Sequence, residues 1–159
     1  MNSKILITIH GWCFVGGSAS YDEEQTAFLK TFFDKVYQID FIKTKLSETL
    51  IDIESQIKKI KEFHKNSDYI VLGRSSGGYI AKVLFDKGLF HKAIYLCPVF
   101  NPILRGNKIK HLGIKAHSYF TDEYIYDTNK WNNDCECLFL VDNDEKCTKR
   151  MLYRRTNKK

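Results

Sequence analysis

Residues 69–78 read Tyr-Ile-Val-Leu-Gly-Arg-Ser-Ser-Gly-Gly, and in this stretch an apolar run leads directly into a Gly-x-Ser-x-Gly pattern at residues 73–77. The apolar run predicts a short buried strand at residues 69–72, and residues 77–87 predict a helix. A serine between such a strand and such a helix sits at a sharp turn that holds its hydroxyl away from the sheet. The stretch therefore marks Ser75 as a candidate nucleophile. The alternative is a serine that only caps the following helix.

Outside this stretch, short β-rich runs alternate with helical ones. Apolar residues at positions 46, 50, 53, 57 and 60 recur at steps of four and three, which predicts a helix with one apolar stripe. A further helix is predicted to begin at the acidic residues 22–24 and to carry Phe28, Leu29, Phe32 and Phe33. The other predicted strands are Ile5–Ile9, Val36–Ile39, Ala93–Cys97 and Cys137–Val141.

Strands that alternate with helices favour a parallel sheet covered by helices on both faces. We therefore predict the α/β class, with a three-layer sandwich around a mainly parallel five-stranded sheet. A chain of 159 residues is long enough for one domain with a sizeable core. That domain is assigned to residues 1–147, followed by a basic tail at residues 148–159.

The net charge of +6 is concentrated at the end of the chain, where residues 146–159 contain seven Lys or Arg and no acid. The remaining residues carry 18 basic and 19 acidic side chains. A basic segment can bind nucleic acid or anionic lipid, but no aromatic stacking platform or base-reading motif accompanies this one. We therefore interpret it as a solvated tail and do not predict nucleic acid as a partner.

Membrane and metal chemistry are not predicted. No apolar run approaches the roughly 20 residues that cross a bilayer, and the chain opens on a strand pattern without a leader cleavage site. The sequence thus predicts a cytoplasmic protein without a membrane partner. The five cysteines include the pair Cys135 and Cys137, but a C-x-C pair lacks the second ligand pair of a zinc site. We predict no metal and no cofactor.

Polar residues follow three of the predicted strands at their carboxyl ends, where the sites of parallel sheets gather. The first strand ends in His10-Gly11-Trp12, the third in the turn at Ser75, and the fifth in the acidic residues 142–145. In this combination and order, the chain resembles the α/β-hydrolase fold over residues 4–147. The resemblance is specifically to small, lidless, esterase-like members.

The resemblance implies an oxyanion hole built from two loops. The backbone N–H of Ser76 would be one donor, supported by the dipole of the helix that begins there. The backbone N–H of Trp12, directly after His10 and Gly11, would be the second donor. His10 in this motif would support the geometry of the loop and would not act as the base.

The resemblance also implies a triad with Ser75 as nucleophile and Asp144 as acid, with Asp142 as second choice. An ordinary turn residue is the alternative for Asp144, because Asp-Asn-Asp is good turn chemistry. The family's histidine follows the acid, whereas no histidine follows Asp144 here. Of the upstream histidines, His111 and His117 lie after the fourth strand, in a segment that can reach the crevice. We take His117 as the candidate base.

The leading functional hypothesis is a serine hydrolase that cleaves a small ester or acyl substrate through an acyl-enzyme at Ser75. The alternative is a pseudo-hydrolase, shortened or without its base, that keeps the fold as a binding or interaction module. Arg74 either holds an anionic group of the substrate or simply faces solvent. The absence of the family's last strand would leave a sheet edge bare, which predicts a homodimer through that edge.

Overall fold

The computed structural model of the protein describes residues 2–11, 23–41, 45–96, 98, 99, 102, 107, 119 and 137–140. The elements in chain order are β1 (Lys4–Ile9), α1 (Glu23–Leu29), β2 (Lys35–Ile39), α2 (Leu46–Phe63), β3 (Asp68–Arg74), α3 (Ser76–Asp86), β4 (Lys92–Leu96) and β5 (Cys137–Leu140). The predicted boundary at residue 147 and the predicted tail lie outside the described residues.

The strands form a sheet of order β2-β1-β3-β4-β5, in which every described pairing is parallel. In the register of the sheet, Ile9 at the end of β1 pairs with Ile39 of β2 and with Gly73 of β3. The residues that follow these three strands therefore emerge side by side at the carboxyl edge. The α/β class with a parallel sheet, predicted from the alternation of strands and helices, is confirmed.

The main core lies between one face of the sheet and the helices α2 and α3. Ile5, Ile7 and Ile9 of β1 are completely buried there. The predicted stripe of α2 faces the same core: its residues at 46, 50, 53 and 57 are buried and Ile60 is partly buried. A helix with this stripe gains most of its stability from packing against the sheet.

The opposite face of the sheet carries a smaller core of Leu6, Ile70 and Leu72, against which Leu29 and Phe33 pack. The predicted helix around residues 23–33 is correct only in its first part, because α1 ends at Leu29 and turns follow it. Hydrogen bonds from Thr31 N–H to Phe28 O and from Phe32 N–H to Leu29 O tighten this end. Phe28 and Phe32 are consequently exposed, in edge-to-face contact with each other, and do not join the core.

No helix in the described part of the chain is both long enough and apolar enough to cross a membrane.

Candidate active site

The backbone turns sharply at Ser75, between the last residue of β3 and the first residue of α3. Ser75 has φ 54° and ψ −119°, and Asn66 is the only other non-glycine residue with positive φ in the described ranges. This region costs an L-residue on the order of 1–3 kcal/mol, so the surroundings must hold it in place. They do so through three backbone hydrogen bonds: Ser75 N–H donates to Leu96 O (2.9 Å), and Ser75 O accepts from Gly78 N–H (3.0 Å) and Val99 N–H (2.9 Å).

The two glycines that flank the serine are required by close backbone contacts. A Cβ on Gly73 would lie 2.4 Å from Gly77 O, and a Cβ on Gly77 would lie 2.3 Å from Ile9 O. Real Cβ atoms do not approach so closely. The start of α3 therefore packs directly on the end of β1, which brings the loop after β1 to the serine.

We expect Gly77→Ala to destabilise the fold by about 3 kcal/mol, because backbone atoms on two sides would have to move. Urea unfolding measures this loss. Gly88→Ala is the control, since Gly88 has open space around its missing side chain and, unlike Gly77, a positive φ (75°). That change should cost only about 1 kcal/mol, from the backbone conformation alone. Equal losses in the two variants would contradict the close packing of α3 on β1.

Gly11, two residues after β1, lies against the side chain of Ser75. A Cβ built on Gly11 would be 3.0 Å from Ser75 Cβ and 3.5 Å from Ser75 Oγ. Two short segments that are distant in sequence thus meet at one hydroxyl. The carboxyl edge of the sheet brings together the serine turn and the His10-Gly11 segment, both of which sequence reasoning placed at that edge.

The side chain of His10 forms a hydrogen bond with the carbonyl of Gly11. His10 is 6 % exposed, and its ring stacks on Phe41 with centroids 4.3 Å apart and planes within 1°. Nδ1 lies 2.7 Å from Gly11 O, and because a carbonyl can only accept, Nδ1 is assigned the hydrogen. Nε2 lies 3.9 Å from a carboxylate oxygen of Asp40. This contact fixes the direction of the Gly11 carbonyl.

Ser76 begins α3 and is buried, with 1 % exposure. The N–H groups of a helix's first turn have no acceptor within the helix, and they lie at the positive end of its dipole. The start of α3 can therefore donate hydrogen bonds to an oxygen that develops negative charge beside Ser75.

The structure adds a buried tyrosine to this region that sequence reasoning missed. Tyr119 is completely buried in the main core, and its hydroxyl has the hydroxyls of Thr49 and Ser76 as polar neighbours. Burial raises the pKa of the Tyr119 phenol, and hydrogen bonding to Thr49 and Ser76 opposes that rise. Tyr119 lies in a tyrosine-rich stretch without clear periodicity, so the sequence does not indicate that its side chain is buried.

The remaining predicted site residues lie outside the described residues: Trp12, His111, His117, Asp142 and Asp144. Two other histidines lie at the amino edge of the sheet. His64 Nε2 is 2.5 Å from the Tyr37 hydroxyl, and His91 Nδ1 accepts from the N–H of Tyr69 at the start of β3. Both rings are engaged at the edge opposite to Ser75.

Within the described ranges, no group of three or more His, Cys, Asp or Glu side chains is arranged to hold a metal ion.

Comparisons with known proteins connect this geometry to a fold. No protein-family model and no curated protein matches the chain. Among solved structures, the phospholipase PlaB from Legionella pneumophila in complex with thio-NAD matches with a TM-score of 0.57 at 15 % identity, over 74 % of this chain and 30 % of that one. Est1E from Butyrivibrio proteoclasticus matches with a TM-score of 0.54 at 21 % identity, over 72 % of this chain and 48 % of that one.

This chain therefore spans less than half the length of either protein. Both structures belong to one fold, and at such low identity the likeness concerns the fold alone. The fold of this chain is that of the α/β-hydrolases.

Proposed function

We propose that this protein is a serine hydrolase that cleaves small ester or acyl substrates through an acyl-enzyme at Ser75. The observation that carries the proposal is the backbone of Ser75, a non-glycine residue kept at φ 54° between β3 and α3. Strain of this kind persists where the surrounding structure over-determines it, and it is typical of functional turns. A serine that merely capped α3 would need no such conformation, and Ser75 makes no side-chain capping bond to the helix.

In the proposed first step, Ser75 Oγ attacks the substrate carbonyl as a base removes its proton. The carbonyl oxygen becomes an oxyanion, which accepts hydrogen bonds from the N–H of Ser76 and the N–H of Trp12. The contact of His10 with Gly11 O supports this assignment, because in a planar peptide the N–H after Gly11 points away from that carbonyl. The base then gives the proton to the leaving alcohol, and water releases the acyl group by the same steps in reverse.

His117 is the proposed base. It is two positions before Tyr119, whose hydroxyl has Ser76 as a polar neighbour, so the Cα atoms of His117 and Tyr119 lie within ~7 Å of each other. This reach supports a position of the His117 ring near Ser75. His111 is eight residues from Tyr119 and is not constrained in the same way.

Asp144 is the proposed acid, with Asp142 as second choice. β5 is two strands away from β3 in the sheet, a separation of ~10 Å. Four residues lead from Leu140, the end of β5, to Asp144 and can span up to ~14 Å. A carboxylate there can approach an imidazole positioned above β3 and can stabilise the imidazolium that forms during attack.

The two structural neighbours, a phospholipase and an esterase, support an ester substrate class. The alternative is a binding module without catalysis, in which the fold is kept but no base acts on Ser75.

A fluorophosphonate probe tests the proposed function directly. The full chain should become covalently labelled, and peptide mass spectrometry should locate the adduct on Ser75. Absence of labelling from neutral to alkaline pH, together with no turnover of 4-nitrophenyl acetate, would favour the binding module.

Arg74 supports a preference for substrates with a negative charge. It is the last residue of β3, directly before Ser75, and its side chain is exposed. Within the described residues no carboxylate forms an ion pair with it. An exposed guanidinium next to the nucleophile can bind a carboxylate or phosphate on the acyl chain.

We expect Arg74→Gln to raise KM for mono-4-nitrophenyl succinate about 5- to 10-fold and to leave kcat nearly unchanged, because it removes binding shared by ground state and transition state. KM for the uncharged 4-nitrophenyl acetate should not change. Lys35→Gln is the charge-matched control, since Lys35 is an exposed cation at the amino edge of β2. If Arg74→Gln affects both esters alike, Arg74 does not select charged substrates.

A further inference from the structure

The two peptide units on either side of Ser75 are both held by the end of β4 and the residues after it. Ser75 N–H, in the unit before the serine, donates to Leu96 O (2.9 Å), and Ser75 O, in the unit after it, accepts from Val99 N–H (2.9 Å). The φ and ψ torsions of Ser75 lie between these two units, so the two hydrogen bonds hold both torsions at their strained values. Val99 is buried, where a backbone hydrogen bond is stronger than in water.

Val99 reaches Ser75 because the residue before it packs closely against α3. A Cβ built on Gly78 would lie 2.7 Å from Pro98 Cβ and 3.0 Å from Pro98 Cα. Pro98 therefore occupies the space that a side chain at position 78 would need, directly against the first turn of the helix. Since Pro98 has no N–H of its own, the N–H next to this contact is that of Val99.

The peptide unit between Ser75 and Ser76 joins the acceptor of this hydrogen bond to the proposed oxyanion donor. The unit is trans, and the C=O and N–H bonds of a planar trans peptide point in opposite directions. Ser75 O accepts from the N–H of Val99 and from that of Gly78 (3.0 Å). These two donors therefore determine the direction in which the N–H of Ser76 points.

We propose that Val99 is a positioning residue for the oxyanion hole and acts through its backbone N–H. This N–H holds the carbonyl of Ser75 and thereby directs the N–H of Ser76 at the oxyanion. The inference rests on the proposed function, because it assigns the N–H of Ser76 to the oxyanion. Misplacement of a catalytic group by about 1 Å can reduce the rate about 100-fold, so loss of this contact acts on the rate more than on substrate binding.

Val99→Pro removes the N–H and keeps an apolar side chain. We expect kcat for 4-nitrophenyl acetate to fall about 10- to 100-fold, KM to stay within about 2-fold, and the fluorophosphonate labelling rate to fall in parallel with kcat. Leu89→Pro is the matched control, because it removes the backbone hydrogen bond from Leu89 N–H to Leu84 O (3.1 Å), beyond the far end of α3. The control should lose thermal stability without loss of kcat. If Val99→Pro behaves like this control, the positioning role is overturned.

Gly78→Ala tests the same contact in case Val99→Pro does not fold. The added methyl must displace Pro98, and Val99 with it, so kcat should fall about 10-fold at unchanged KM. A folded Gly78→Ala variant with the kcat of the wild type overturns the positioning role.

Amide hydrogen exchange tests the contact without any need for activity. In the full chain, NMR should find the Val99 amide protected about 100-fold or more relative to an exposed amide, because its hydrogen bond is buried in the folded structure. Exchange at the rate of an exposed amide contradicts the contact. Absence of labelling in the wild-type protein contradicts the proposed function, and the two failures are thus distinguishable.

Discussion

We expect the Ser75→Ala variant to lose hydrolysis of 4-nitrophenyl acetate by at least about 10⁴-fold in kcat and to lose all fluorophosphonate labelling. The alanine keeps the sharp turn but removes the only oxygen that can form the acyl-enzyme, and loss of a nucleophile has effects of this size in serine hydrolases. Steady-state kinetics and intact-protein mass spectrometry measure the two losses. Ser55→Ala, which changes an exposed serine on α2, is the control and should retain full activity.

The same position carries a prediction for stability. Ser75→Gly should stabilise the fold by about 1 kcal/mol or more in urea unfolding, because glycine adopts φ 54° without the strain imposed by a Cβ. The entropy that glycine gains in the unfolded state reduces this gain but does not reverse its sign. Gain of stability with loss of labelling is the signature of a strained catalytic residue. An active Ser75→Gly variant would contradict the acyl-enzyme.

The second large effect concerns the proposed base. We expect His117→Ala to reduce kcat for the same ester about 10³-fold, because a serine hydroxyl without a base is a weak nucleophile at neutral pH. The remaining activity should rise with pH as hydroxide replaces the imidazole. Steady-state kinetics between pH 6 and 10 measure both effects.

His111→Ala is the matched control, since it removes the other histidine of the same segment. It should retain kcat within 2-fold, and its melting temperature should match that of His117→Ala. The opposite pattern, with the large loss in His111→Ala, would assign the base to His111. Full activity in both single variants and in the double variant would contradict a base from this segment.

Much of the fold follows from local patterns in the sequence. The buried strands β1 and β3 and the apolar stripe of α2 were predictable, because the spacing of apolar residues along a strand or helix determines which face packs on the core. The end of α1 at Leu29 was not predictable, because Phe28, Leu29, Phe32 and Phe33 have the spacing of a continuous helix. Packing on Leu6, Ile70 and Leu72 leaves Leu29 and Phe33 partly buried, whereas Phe28 and Phe32 are exposed.

The candidate site was likewise predictable only in part. The sequence predicts that His10, Gly11 and Ser75 lie at one edge, because parallel strands end together. It does not contain the contact between the His10 ring and Gly11 O, which depends on Phe41 and Asp40 at the end of β2. The sequence also gives no indication that Tyr119 lies beside Thr49 and Ser76, because these three residues come from segments far apart in the chain.

By itself, the sequence determined that this chain is an α/β protein and that one serine lies at a strand-to-helix turn, because those features depend on the order and period of neighbouring residues. The tertiary structure alone decided which backbone and side-chain groups surround that serine. Contacts such as Gly11 against Ser75 and Tyr119 beside Ser76 form only after distant segments pack, and their energies depend on distances of a few ångströms that no local pattern specifies.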